Sequence, residues 1–187
     1  MDEKTLQKML FSLYVVDFDY IAVRYLMAGG FFPTVGSLAN IVIDRYIKTF
    51  LWSQDRNDLV RQIIRWRGNE SHNIVRVINI CKQEINIGPE LSEQEIEVLR
   101  NIYKSYCFRY VDFMFAGKDH CEIYMKDMHT IDKICYFFRK KIEEVTPRIE
   151  KTPINLLLSG DSIMVKGLSC GNVNMRDLLL FDNPYFK

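Results

Sequence analysis

The sequence lacks three features that would assign it to a class at once: long hydrophobic runs, paired cysteines and an excess of one charge. Its apolar runs extend only a few residues and Asp2-Glu3-Lys4 open the chain, so we expect neither a membrane span nor a signal peptide. Five cysteines without close pairs favour reduced thiols, and thus a cytoplasmic protein. Twenty-five Lys and Arg oppose 24 Asp and Glu, which excludes a global field that would hold nucleic acid.

Metal ligands are also scarce in the sequence. His120, Cys121, His129 and Cys135 come nearest to a ligand cluster, but their spacing matches no zinc pattern. We therefore predict no metal ion and no other cofactor.

Helical periodicity dominates what the sequence does contain. The 187 residues are of single-domain size and are expected to bury roughly 70% of the surface of the unfolded chain. Apolar residues recur at helical spacing through most of residues 1–147. The pattern predicts helices over 5–28, from Pro33 to about Trp52, over 55–67, from His72 to before Gly88, from the Ser92 and Glu95 capping box through Tyr110, and from Asp127 to Val145. Gly, Asn and Pro interrupt residues 148–187, so there we predict a mostly irregular arm with room for short strands, packed on the helices or on a partner subunit.

The helix predicted over Ser37–Leu51 also resembles a family signature. Ala39, the pair Asp44-Arg45 and Lys48 match a small residue, an acidic–basic pair and a lysine one turn later in the HEPN superfamily (higher eukaryotes and prokaryotes nucleotide-binding). Tyr20–Arg24, Ser71–Ile74 and Tyr106–Asp112 are similar to the other motifs of the family, in the same order. The resemblance spans residues 17–145 and implies an all-α fold, an antiparallel up-and-down bundle of five to six helices within 1–147.

The segment Arg67–His72 fits the arginine–gap–histidine motif that marks ribonuclease members of this superfamily. In metal-independent RNA cleavage a histidine takes or supplies a proton near neutral pH, and an arginine holds the phosphate and its developing charge. The alternative is structural, because Ser71-His72-Asn73 begin a helix, where short polar side chains satisfy exposed backbone N–H groups. Arg67 and His72 are therefore candidate catalytic residues only if the chain is a ribonuclease.

A second candidate site combines residues from the other signature helices. Asp17, Tyr20 and Arg24 share one helical face. By the family fold, Lys48 and Arg109 converge with them in a polar patch able to hold a nucleotide phosphate. The alternative is a buried ion-pair network that fixes helix register.

A third candidate is a nucleic-acid contact. Arg61, Arg65 and Trp66 combine cations with a stacking surface suited to a single strand. Acidic neighbours such as Asp58 and Glu70 dilute this charge, so a solvated helix face with local ion pairs is the alternative.

The resemblance leads us to expect a non-catalytic module that binds a nucleotide, a nucleic acid or a protein partner such as a nucleotidyltransferase or an antitoxin. The alternative function is a metal-independent endoribonuclease of toxin or antiphage type. Members of the superfamily commonly dimerise across the bundle, and in ribonuclease members the dimer brings the two motifs together. A homodimer is therefore the default expectation.

Overall fold

The protein is all-α, as its periodicity predicts. The computed structural model describes residues 2–108, 123–161 and 173–186, and in these ranges the chain forms helices and no β-strand. The helices are α1 Glu3–Ala28, α2 Phe32–Ser53, α3 Asn57–Ile64, α4 Ile74–Ile85, α5 Glu93–Phe108, α6 Met128–Glu143, α7 Pro153–Leu158 and α8 Met175–Leu180, with 3₁₀ turns at Gly68–His72, Met125–Asp127 and Ile149–Lys151. None of the helices in these ranges is both long and apolar enough to cross a membrane.

Local capping sets the ends of the best-predicted helices. The Asp2 side chain accepts a hydrogen bond from the Thr5 backbone N–H at 2.8 Å and begins α1. This helix ends at Gly29 and Gly30, where Gly30 has a φ of 78°. At the start of α5, the Ser92 backbone donates to the Glu95 carboxylate at 2.7 Å, and the Glu95 backbone donates to the Ser92 hydroxyl at 3.2 Å, which confirms the predicted capping box.

Helix α2 is the central element and packs against α1, α5 and α6. Its buried apolar side chains cover much of its circumference: Val35, Ala39, Val42, Ile43, Tyr46, Ile47, Phe50 and Leu51. At Gly36 the backbone lies so close to α5 that a Cβ atom would stand 2.6 Å from the Ser105 Cβ. Three polar residues of α2, Asn40, Asp44 and Thr49, are buried as well and need internal partners.

The C-terminal residues correct one prediction. Where a mostly irregular arm was expected, residues 153–158 and 175–180 form α7 and α8. Pro153 occupies the first turn of α7, and Asn174 caps α8 by accepting from the Arg176 backbone at 2.9 Å. Six residues are too few to show a helical period, so these helices escape a pattern search. Both pack on α1.

Candidate functional site

Polar residues on one face of α2 hold the 3₁₀ turn that precedes α4. Asn40, Asp44 and Lys48 are spaced one turn apart. The Asn40 amide donates to the His72 carbonyl and the Lys48 ammonium donates to the Ser71 carbonyl, each at 3.1 Å. Between them, an Asp44 oxygen lies 3.0 Å from Nδ1 of the His72 imidazole. We call Asn40, Asp44, Lys48 and His72 the Asp44–His72 site.

The imidazole of His72 contacts Asp44 through one nitrogen, and the ring is partly exposed. Asp44 is nearly buried, whereas the His72 side chain is 36% exposed. One side of the ring packs against Tyr106, with 5.0 Å between the ring centroids. When Asp44 is ionised it can only accept a hydrogen bond, so Nδ1 carries the proton and Nε2 of a neutral ring is free to accept one. Nε2 bonds to no described residue. This arrangement suits a general acid or base.

Helix capping does not explain the His72 side chain. The residue that caps α4 is Asn73, whose side chain accepts from the Arg76 backbone at 3.2 Å. The capping alternative for the Ser71–Asn73 segment therefore applies to Asn73, and the His72 side chain contacts Asp44 instead.

Two buried oxygens of the Asp44–His72 site have no partner. Asn40 Oδ1 and Asp44 Oδ1 are excluded from water and accept no hydrogen bond from the described residues. An unsatisfied buried acceptor costs roughly 1–3 kcal/mol of stability. The second Asp44 oxygen is shared by Lys48 at 2.6 Å and His72. The carboxylate therefore makes both of these contacts through one oxygen.

Arg67, the other residue of the motif, stands apart. It lies exposed immediately before the 3₁₀ turn, and within the described ranges it forms no ion pair and no hydrogen bond to His72. The structure therefore brings His72 to Asp44 and Lys48, while the Arg67 guanidinium remains available to an external group.

The three residues of the predicted nucleic-acid contact differ in their exposure. Arg61 and Arg65 are exposed on or just after α3. Trp66 is half-buried, and the Arg76 guanidinium lies 3.9 Å from its ring centroid. Arg76 also pairs with Glu70 at 3.4 Å. A base could not stack on that face of Trp66 without displacing Arg76, so the described geometry agrees better with the solvated-face alternative.

Asp17, predicted to bind a ligand, is fully buried in an internal network. Arg139 of α6 binds its two carboxylate oxygens at 3.0 and 3.1 Å. Tyr46 donates to the same carboxylate at 2.7 Å, and the Ile154 backbone N–H at 3.3 Å. The Arg139 guanidinium also donates to the Thr152 hydroxyl at 2.9 Å. Asp17 therefore joins α1, α2, α6 and α7.

Tyr20 and Arg24 form a second buried network with Asp132 of α6. Both donate to this carboxylate, and burial raises its pKa against the opposing effect of Arg24. Burial also raises the pKa of the Tyr20 hydroxyl well above its ordinary value. Arg24 donates to the carbonyls of Leu178 and Phe181 as well.

In these two networks the chain itself supplies partners for Asp17, Tyr20 and Arg24, which were predicted to bind a ligand. This arrangement agrees with the alternative of a buried ion-pair network. Lys48 belongs to the Asp44–His72 site instead, and Arg109 lies outside the described residues. Asp132 and Arg139, which sequence reasoning missed, were detectable as charged residues within the apolar stripe of the last predicted helix.

The remaining ligand-type residues form no further site. In residues 2–108, 123–161 and 173–186, no group of three or more His, Cys, Asp or Glu side chains is placed to hold a metal ion. His120 and Cys121 lie outside these ranges. Cys81 is buried, which raises the pKa of its thiol to about 12 and makes it a poor nucleophile at neutral pH.

No protein-family model, curated protein or solved structure matches the chain.

Proposed function

We propose that the chain is a HEPN-like endoribonuclease that cleaves RNA by acid–base catalysis at His72 and needs no metal ion. The observation that carries this proposal is the 3.0 Å contact between Asp44 and His72 Nδ1 on a partly exposed ring, whose Nε2 bonds to no described residue. A carboxylate in this position orients an imidazole and stabilises the cation that forms when the ring takes a proton.

The chemistry requires two proton transfers. The 2′-hydroxyl oxygen of the RNA attacks the adjacent phosphorus and loses its proton to a base. The bond from phosphorus to the 5′ oxygen breaks, and that oxygen takes a proton from an acid. The products are a 2′,3′-cyclic phosphate and a 5′-hydroxyl. An imidazole can serve in either step, because it exchanges protons near neutral pH.

Arg67 is the phosphate clamp of this proposal. Its guanidinium is exposed and unpaired among the described residues, and a planar fork of donors matches the oxygens of a phosphate. Lys48 is less available, because its ammonium already binds Asp44 at 2.6 Å and the Ser71 carbonyl. In the homodimer that the HEPN resemblance implies, the His72 of the second copy supplies the complementary proton transfer and its Arg67 supplies a second phosphate clamp.

A second candidate function is a non-catalytic module that binds a nucleotide, a nucleic acid or a protein partner such as a nucleotidyltransferase or an antitoxin. The observation that favours it is the absence of contact between Arg67 and His72 within the described residues. A module that only binds a nucleotide gains thermal stability as ligand rises above its Kd, about 2.7 kcal/mol at a hundredfold excess, and leaves RNA intact.

Cleavage of a mixed RNA pool in excess EDTA tests the leading proposal. Wild type is expected to cleave, and His72→Ala to lose about 10²-fold or more of the rate, the usual contribution of a general acid or base. His129→Ala is the matched control, because His129, at the start of α6, is also partly exposed and lies 3.3 Å from an Asp182 oxygen. Equal cleavage by the two variants would overturn the assignment of His72.

Two further variants separate the proposed roles. Asp44→Asn keeps the shape of the side chain but no longer stabilises a charged imidazole, so the rate should fall while circular dichroism stays unchanged. Arg67→Ala should weaken cleavage, and Arg65→Ala, an exposed arginine two residues away, should not. If neither the wild type nor any variant yields a cyclic phosphate product, the binding module becomes the better proposal.

A further inference from the structure

A groove between α1, α2 and α3 opens beside the Asp44–His72 site. Its volume is about 560 Å³, within the range of small-molecule sites. Lys8, Phe11 and Ser12 line it from α1, and Lys48, Thr49 and Trp52 line it from α2. We call it the α1–α2–α3 groove.

The groove is continuous with the proposed catalytic site through Lys48. Lys48 lines the groove, and its ammonium binds the Asp44 oxygen that also contacts His72. Positions 44 and 48 are separated by roughly 6 Å along the helix axis. The groove and the Asp44–His72 site therefore share Lys48.

The charged residues that line the groove are all basic among those that the structure describes. Lys8, Arg45 and Lys48 contribute to its lining, and none of the described residues that line it is acidic. Arg45 and Lys48 have ion-pair partners in Asp19 and Asp44. Lys8 has none among the described residues, so its ammonium is free to meet a phosphate.

Aromatic and polar side chains both line the groove. Phe11 is 69% exposed, and Trp52 lines the groove from the next helix. Ser12 and Thr49 also line it, and their hydroxyls share a hydrogen bond of 2.8 Å. Aromatic faces take a stacked base, paired hydroxyls offer donors and acceptors to its edge, and a nearby cation takes its phosphate.

We propose that the α1–α2–α3 groove is a subsite for one unpaired nucleotide of an RNA strand, with the base against Phe11 and Trp52 and a phosphate at Lys8. This inference rests on the proposed function, which supplies RNA as the substrate. It adds the place where the strand is held next to the cleaved bond. It also assigns RNA contact to a different face from Arg61, Arg65 and Trp66.

Tryptophan fluorescence provides a direct test, because the chain contains only two tryptophans. The Trp66→Phe variant retains Trp52 in the groove, and Trp52→Phe retains Trp66 outside it. A short 2′-O-methyl RNA serves as the probe, since it lacks the attacking hydroxyl and stays intact. Stacking in the groove should quench Trp52 in the first variant and leave Trp66 unchanged in the second. Quenching of Trp66 alone, or of neither residue, would overturn the subsite.

Variants at the groove test the individual contacts. Phe11→Ala should raise the Kd for the same probe about tenfold, the loss expected for one stacked base. Ile64→Ala is its control, because Ile64 is 60% exposed but does not line the groove. Lys8→Ala should reduce the dependence of log Kobs on log salt concentration by about 0.7, and the exposed Lys104→Ala should leave it unchanged. An unchanged Kd in Phe11→Ala would refute the subsite.

Cleavage of unmodified RNA is measured on the same preparations and keeps the two proposals distinguishable. Cleavage by wild type together with unaltered binding by Phe11→Ala means that the groove assignment is wrong and the catalytic proposal stands. Quenching of Trp52 without any cleavage means that the groove assignment stands and the catalytic proposal is wrong. The groove would then bind a single strand on a protein that does not catalyse its cleavage.

Discussion

The buried pair of Asp17 and Arg139 offers the sharpest test of how this fold is held together. Both side chains are almost completely excluded from solvent, and they meet through two parallel hydrogen bonds of 3.0 and 3.1 Å. The carboxylate also accepts from Tyr46, and the guanidinium also donates to Thr152. We consider the substitution Arg139→Met, which keeps much of the volume and removes the charge and every donor.

The expected loss of stability follows from the Asp17 carboxylate, which Arg139→Met leaves buried without its partner. Asp17 would remain buried with one strong donor, Tyr46 at 2.7 Å, and no compensating positive charge. Removing one member of a buried ion pair costs about 3–5 kcal/mol, mainly because the other charge is left uncompensated. Proteins of this size have a total stability of about 5–15 kcal/mol, so the variant should lose a large share of it.

Urea unfolding followed by circular dichroism measures this effect. The double variant Asp17→Asn with Arg139→Met should be less destabilised than the sum of the single variants by about 1–3 kcal/mol, because the remaining partner is then neutral. Arg100→Met, which removes an exposed ion pair to Glu97, should change stability by no more than about 0.5 kcal/mol. A cost below about 1 kcal/mol for Arg139→Met, or strict additivity in the double variant, would refute the reasoning.

Three other predictions concern the core. Burial raises the pKa of the Cys81 thiol from 9.0 to about 12 and raises that of the Tyr20 hydroxyl, so the unfolded chain releases these protons first as pH rises. Stability should therefore fall by about 1.4 kcal/mol per pH unit for each group, above pH 9.0 for Cys81 and above pH 10.0 for Tyr20, and urea midpoints that stay flat across this range would contradict this. Gly36→Ala should lower stability by about 1–3 kcal/mol in the same assay, because the new methyl would meet Ser105 at 2.6 Å. Asn183→Ala should cost about 1–3 kcal/mol in thermal unfolding, since it removes the buried hydrogen bond of 3.0 Å to the Tyr20 hydroxyl, and an unchanged Tm would mean that this contact contributes nothing.

The helices that sequence analysis predicted well are those whose ends are specified locally. The Asp2 cap, the Gly29-Gly30 stop and the Ser92–Glu95 box act within three or four residues, so the sequence alone reveals them. The predictions were less accurate in the last 40 residues, where six-residue helices depend on packing against α1 for their stability.

The candidate site was predicted in part. Asp44, Lys48 and His72 were all noted in the sequence, but the contact between Asp44 and His72 was not predicted, because these two residues are 28 positions apart and meet only when α2 lies against the 3₁₀ turn. The same limit explains why sequence analysis expected an accessible polar patch. Sequence spacing placed Asp17, Tyr20 and Arg24 on one face correctly, yet their exposure depends on what covers that face.

The sequence by itself determined the all-α class, the positions of the main helices and the polar residues available for chemistry, since these follow from periodicity and from caps that act over one turn. Tertiary structure decided which polar residues are accessible. It buried Asp17, Tyr20 and Arg24 under α6 and the C-terminal residues, and left the His72 ring partly exposed beside a buried carboxylate. The physical reason is that a charged group must be either paired or solvated, and only the packed chain settles which of the two applies.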